Sequence, residues 1–142
     1  MKLAVDSSAF AKRYVKEIGS DRLYRILQDA TELALCVLLV PEITSGLNRR
    51  KREGSLSLEN YNLAKKQLLY DVRDATILQI TPSVVLRSIK LLEANALRAM
   101  DALHIACAFE WQADLFVTSD KRQFEVAVNT GISSELIGQQ VH

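Results

Sequence analysis

The chain has 142 residues and a formal net charge of +1, with 49% hydrophobic and 25% charged residues. This fits one domain over residues 1–142 with a single core, and excludes a disordered or fibrous chain. No apolar run approaches the ~18 residues of a membrane span, no basic segment leads into a long apolar one at the start, and a cytoplasmic protein is expected.

Leu3-Ala4-Val5 is a short β-prone run that ends in Asp6-Ser7-Ser8, and Ala9 to Tyr14 then reads as a helix. Gly19-Ser20 breaks that pattern, with Ser20 expected to cap a helix running to about Ala30. Leu33 to Leu39 is a continuous apolar run that suits a strand buried on both faces. Pro41 fits the first turn of the next helix, which carries Glu42, Ile43, Leu47 and the basic cluster Arg49-Arg50-Lys51-Arg52 before Gly54 ends it. Ser57 is the expected cap of a helix to about Asp74, with Leu63, Leu68 and Leu69 among its apolar residues. A strand over Thr76–Ile80 follows, and Thr81-Pro82 is a clear helix start. Further on, the pattern predicts a helix from Ala99 to Trp111, a strand over Asp114–Thr118, a short helix after Asp120 and a final edge strand from Leu136 to Val141. Strands separated by helices imply an α/β domain with a mostly parallel sheet covered on both faces.

Cys36 and Cys107 sit in apolar surroundings and read as small buried hydrophobes; a CxxC pair or Cys/His cluster is absent, which argues against a zinc site. Four acids occupy comparable positions. Asp6 follows the first strand, Glu42 the second apolar run and Asp120 the fourth strand, while Asp101 opens a helix. In a parallel sheet the loops beyond the strand carboxyl ends converge on one edge. Three of the four follow that rule, and Asp101 is placed by its helix instead. Clustered carboxylates repel one another and suit a hard cation such as Mg²⁺ or Mn²⁺. The chemistry that follows is metal-assisted attack on a phosphodiester. Each acid alone reads as well as a helix cap or a dipole partner.

The segments Val5-Asp6-Ser7-Ser8-Ala9, Val40-Pro41-Glu42-Ile43, Met100-Asp101-Ala102-Leu103-His104-Ile105-Ala106 and Phe116-Val117-Thr118-Ser119-Asp120 give the chain a family likeness. It resembles the PIN-domain ribonucleases, specifically the VapC toxins of toxin–antitoxin pairs. The resemblance implies a three-layer α/β/α sandwich with a parallel five-stranded sheet, and an Mg²⁺- or Mn²⁺-dependent endoribonuclease acting on tRNA or rRNA. It also implies a cognate VapB-like antitoxin, and relatives commonly form homodimers. Carried over residue by residue, Asp6, Glu42, Asp101 and Asp120 form the catalytic and metal-binding quartet, supported by Ser8. Relatives often carry another Asp three residues after the site of Asp120. Here that position is Gln123, which leaves the ligation of a second metal open.

The remaining residues carry two roles each. Ser8 suits a hydrogen bond to a ligand carboxylate or metal-bound water and equally a cap on the first helix. Serine there, rather than aspartate, argues against a haloacid-dehalogenase-type phosphatase. His104, three residues after Asp101, reads as a packed, hydrogen-bonded histidine ahead of a general base. Arg49, Lys121 and Arg122 are candidate RNA-phosphate contacts, with solvated helix ends as the alternative. Phe10, Tyr14 and Trp111 read as core, or as part of an antitoxin groove or dimer surface. Beside the nuclease stands a second reading, motivated by Gln123: a catalytically silent PIN-like module that binds protein or RNA without turnover.

Overall fold

Alternation along the first strand sends Leu3 and Val5 into one core and Ala4 into another, and the layers follow from that split. A computed structural model describes residues 1–139. Strands β1 (Lys2–Val5), β2 (Glu32–Cys36), β3 (Thr76–Leu78), β4 (Leu115–Thr118) and β5 (Ser134–Leu136) form one sheet in the order β3-β2-β1-β4-β5. Every neighbouring pair is parallel, with Leu3 opposite Leu33 of β2 and Leu115 of β4. Helices α1 (Ser7–Phe10), α2 (Ser20–Asp29), α3 (Leu39–Arg52) and α4 (Leu58–Arg73) supply the core on the Leu3/Val5 face. On the Ala4 face lie α5 (Pro82–Ala94), α6 (Ala99–Trp111) and α7 (Lys121–Thr130). The expected three-layer α/β/α sandwich is therefore present.

Local chemistry sets most element boundaries. Thr81 caps α5 by accepting from the Val84 amide, with Pro82 at the first helical position, and Ser57 caps α4 through the Asn60 amide. At the other end of α3, Gly54 takes a φ of +83°, the left-handed conformation that stops a helix cheaply. The small residues Ala102, Ala106, Cys107 and Ala108 let α6 lie deep in the second core. Cys36 and Cys107 are buried free thiols with Sγ atoms 3.7 Å apart.

Several boundaries differ from the sequence expectations. The first helix starts at Ser7 and tightens to a 3₁₀ turn over Ala11–Arg13. Ser20 is not the cap of α2: Gly19 holds that position at φ +98°, and the Ser20 hydroxyl accepts from the Glu17 amide and donates to the Lys12 carbonyl instead. The second strand ends at Cys36, because Leu39 already begins α3; Pro41 is the third residue of that helix, where its missing N–H costs nothing. The third strand stops at Leu78. In α4 only Leu68 is core, whereas Leu63 and Leu69 are 59% and 50% exposed. The last strand lies earlier than expected, at Ser134–Leu136, and Gly138 bends away at φ +81°. The end of the expected Leu136–Val141 strand and His142 fall outside the described residues. Among the described residues no helix is long and apolar enough to cross a membrane.

Candidate active site

The chain runs from β1 outward to β2 and β3 on one side, and returns to place β4 and β5 on the other. Neighbouring strands that depart in opposite directions open a crevice beyond their carboxyl ends, and here that point lies between β1 and β4. Asp6 and Thr118 meet there because Val5 pairs with Val117, and the Asp6 amide donates to the Val117 carbonyl at 3.0 Å.

Asp6 is 2% exposed and serves two structural ends at once. Its Oδ1 caps α1 by accepting from the Ala9 amide at 2.9 Å. The Ser8 hydroxyl lies 2.9 Å from each carboxylate oxygen, and Thr118 donates to Oδ2 at 2.7 Å. Burial pushes the Asp6 carboxyl above its usual range, opposed by the charge of His104 and by these donors. Ser8 therefore holds Asp6, while the α1 cap expected of Ser8 is Asp6 itself.

Glu42 comes from the first turn of α3 and meets His104 of α6. His104 Nε2 stands 2.5 Å from Glu42 Oε1, and the Ser7 hydroxyl donates to the same oxygen at 2.7 Å. Burial raises the Glu42 carboxyl, but the hydrogen bond and charge of His104, with Ser7, bring it below the ordinary carboxylate range. For His104 burial works against protonation, yet the Glu42 hydrogen bond and the Asp6 charge hold its pKa above the usual histidine value. The histidine is thus a buried, hydrogen-bonded group, and its partner is one of the candidate site acids.

Asp101 lies in the first turn of α6 and Asp120 caps α7, its Oδ1 accepting from the Gln123 amide at 2.8 Å. Burial first, and then the charge of Asp120, push the Asp101 carboxyl up. Arg98 lies against both acids, with Nε 3.5 Å from Asp101 Oδ2 and Nη2 3.9 Å from Asp120 Oδ2.

All four acids line one cleft of about 320 Å³, together with Ser7, Ser8, Arg98 and His104. A second cleft of about 300 Å³ shares Ser7, Ser8 and Glu42 and extends past Gly46 to Arg49 and Arg50. Arg49 therefore shares a cleft with Glu42 but not with Asp6, Asp101 or Asp120. Lys121 and Arg122 line neither cleft, and the Arg122 guanidinium is engaged with the Ala96 carbonyl at 2.8 Å and with Glu125 at 3.8 Å. Phe10 is core, and Tyr14 packs edge-on against it at 5.8 Å between ring centroids.

Among the described residues, no three His, Cys, Asp or Glu side chains are close enough together to hold a metal ion. The chemistry of the donor set, all carboxylate oxygen lining one cleft, suits a hard divalent cation, although the four acids do not stand as a ready cluster for one. Asp101 and Asp120 have oxygens that only the Arg98 cation approaches among the described residues, whereas Asp6 and Glu42 are held in place by hydroxyls and His104.

Sequence reasoning missed the structural part that four residues play in building the site. Ser7 stood in the first motif, but its bond to Glu42 depends on α3 crossing α1. Thr118 reaches Asp6 only because β4 lies beside β1. Gln123, fully buried, turns Oε1 to within 3.2 Å of the Thr118 hydroxyl and donates from Nε2 to the Asp101 carbonyl at 3.4 Å. It is a strut beneath the acids and does not line the cleft. Arg98 had a readable signal: it sits three residues before Asp101 on a helix start.

Comparison with curated protein sequences finds no match. Solved structures with the same fold include FitAcB from Neisseria gonorrhoeae, at 15% identity and a TM-score of 0.72, covering 93% of this chain and 95% of that one. DNA-bound VapBC from Salmonella typhimurium is similar at 14% identity and a TM-score of 0.71, over 95% of this chain and 97% of that one. VapC20 from Mycobacterium tuberculosis, described as a sarcin–ricin loop cleaving toxin, is similar at 13% identity and a TM-score of 0.68, over 92% and 95%. The PIN domain family model matches residues 3–129, nearly the whole described chain, and the chain belongs to the PIN-domain family.

Proposed function

We propose that this chain is a divalent-metal-dependent endoribonuclease and the toxin of a VapBC-type toxin–antitoxin pair, built as one PIN-like unit over residues 1–142. The observation that carries the reading is the meeting of Asp6, Glu42, Asp101 and Asp120 in one cleft at the β1/β4 crevice. A bound Mg²⁺ or Mn²⁺ would supply Lewis-acid activation of water and neutralise charge on the scissile phosphate. Asp6, Glu42, Asp101 and Asp120 would hold it, with Ser8 and Thr118 fixing Asp6 and the Ser7–His104 pair fixing Glu42. The His104 hydrogen bond favours the ionised form of Glu42, the form that acts as a ligand. A role for Arg49 in contacting an RNA phosphate is supported by its lining a cleft that shares Ser7, Ser8 and Glu42 with the acidic one.

RNA as substrate, with tRNA or rRNA as the class, is supported by family membership and by the structural neighbour described as cleaving the sarcin–ricin loop. A cognate antitoxin is supported by the similar VapBC and FitAcB structures. Val85, Leu86, Ile89 and Leu92 expose an apolar row on α5, which supports a homodimer, and a cytoplasmic location belongs to the same reading.

The test is cleavage of total cellular RNA by purified, antitoxin-free protein with Mn²⁺, Mg²⁺ or EDTA, beside Asp101→Asn. Discrete fragments that require metal and disappear in the variant support the reading. Fragments of equal intensity from wild type and variant would overturn the assignment of the site.

A further inference from the structure

Four carboxylates in one cleft need counter-charge when no metal is bound; His104 faces Asp6 and Glu42, and Arg98 faces the other two. Arg98 opens α6 in an extended conformation, with φ −75° and ψ 149°, and makes no capping bond. Its side chain is 82% exposed, so packing does not fix it, yet the guanidinium spans Asp101 at 3.5 Å and Asp120 at 3.9 Å. These two acids come from different helices, and among the described residues no other cation approaches both. The field of Arg98 also favours the ionised forms of Asp101 and Glu42. Both contacts are longer than a good charge-assisted hydrogen bond, which makes them easy to exchange.

From this geometry we propose that Arg98 is a built-in counter-ion that competes with the divalent metal for Asp101 and Asp120 and is displaced when the metal binds. It is a positioning residue that sets metal affinity. The inference rests on the cleft being a metal site, and it goes further by assigning the opposing group. Exposed ion pairs are individually weak, so the competition is modest and reversible. A planar fork bridges two carboxylates better than a point charge does, so lysine should compete less well than arginine.

The test is Mn²⁺ binding to the full chain without RNA, followed by electron paramagnetic resonance or calorimetry, for wild type, Arg98→Gln, Arg98→Lys, Lys121→Gln and Asp101→Asn. Lys121→Gln removes a positive charge that lies outside the cleft. The expected result is a rise in Mn²⁺ affinity of about three- to tenfold for Arg98→Gln, a smaller rise for Arg98→Lys and little change for Lys121→Gln. In EDTA, Arg98→Gln should melt below wild type, and saturating Mn²⁺ should close that gap, because the tighter binding arises from a less stable metal-free state. Equal affinities for wild type and Arg98→Gln, or an equal rise from Lys121→Gln, would overturn the role of Arg98 while leaving the metal site standing. If wild type and every variant bind no Mn²⁺, the metal site itself fails and the counter-ion role fails with it.

Discussion

Thr118→Val isolates one hydroxyl at the bottom of the site. Thr118 is fully buried; it donates to Asp6 Oδ2 at 2.7 Å and accepts from the Asp120 amide at 3.0 Å. Valine has nearly the same shape, so no cavity forms and the loss is polar. Removing a hydrogen bond to a carboxylate costs about 1.5–3 kcal/mol, and an unsatisfied amide adds about 1 kcal/mol at the low end of its range, because Asp120 is only partly buried. The sum is about 2.5–4 kcal/mol, which for a chain of this size lowers the melting temperature by roughly 8–13 °C. Urea unfolding of the full chain in EDTA near neutral pH measures it, with Thr118→Ser as the control. Serine keeps the hydroxyl and loses one methyl, for about 1 kcal/mol. A loss below about 0.5 kcal/mol for valine, or equal losses for valine and serine, would refute the claim that this hydroxyl supports Asp6.

Three further predictions rest on separate contacts. Burial holds the Asp6 carboxyl above its usual value, so its contribution to stability is fully present below the unfolded value near 3.8 and is lost as pH rises through the folded one. Asp6→Asn should therefore remove activity and yet melt above wild type at neutral pH in EDTA, with Thr118 turning its proton to Gln123 Oε1 at 3.2 Å and accepting from the new amide; a lower melting temperature would contradict this. Asp71 receives Arg13 Nε at 2.6 Å and the Tyr14 hydroxyl at 2.7 Å, which hold its pKa down against burial. Asp71→Asn should cost about 1–2 kcal/mol in chemical denaturation at pH 7, and the deficit should shrink as pH falls below the usual aspartate value through the depressed one, with RNA cleavage unchanged. Leu68→Ala should lose about 2–5 kcal/mol by opening a cavity in the first core, while Leu69→Ala, half exposed, should stay within about 0.5 kcal/mol of wild type by the same denaturation.

The α4 leucines show where sequence reading stops. Leu63, Leu68 and Leu69 are equally apolar, and a local pattern cannot rank them without knowing where α3 and the sheet lie. The helix caps at Ser57 and Thr81 were legible because capping is decided within four residues. Ser20 misled for the opposite reason: its hydroxyl is drawn to Lys12, eight residues away, and glycine takes the cap.

The sequence by itself determined the α/β layering, the starts of α4 and α5 and the four acids at element ends, because periodicity and capping are short-range chemistry. Only the tertiary structure decided what each acid touches. Placing β1 between β2 and β4 brings Thr118 to Asp6, the crossing of α3 and α6 pairs Glu42 with His104, and the start of α6 lays Arg98 across Asp101 and Asp120. These partners are 62 residues apart for Glu42 and His104 and 112 for Asp6 and Thr118. Contacts at such separations are fixed by strand order and helix packing, which no window of local sequence contains.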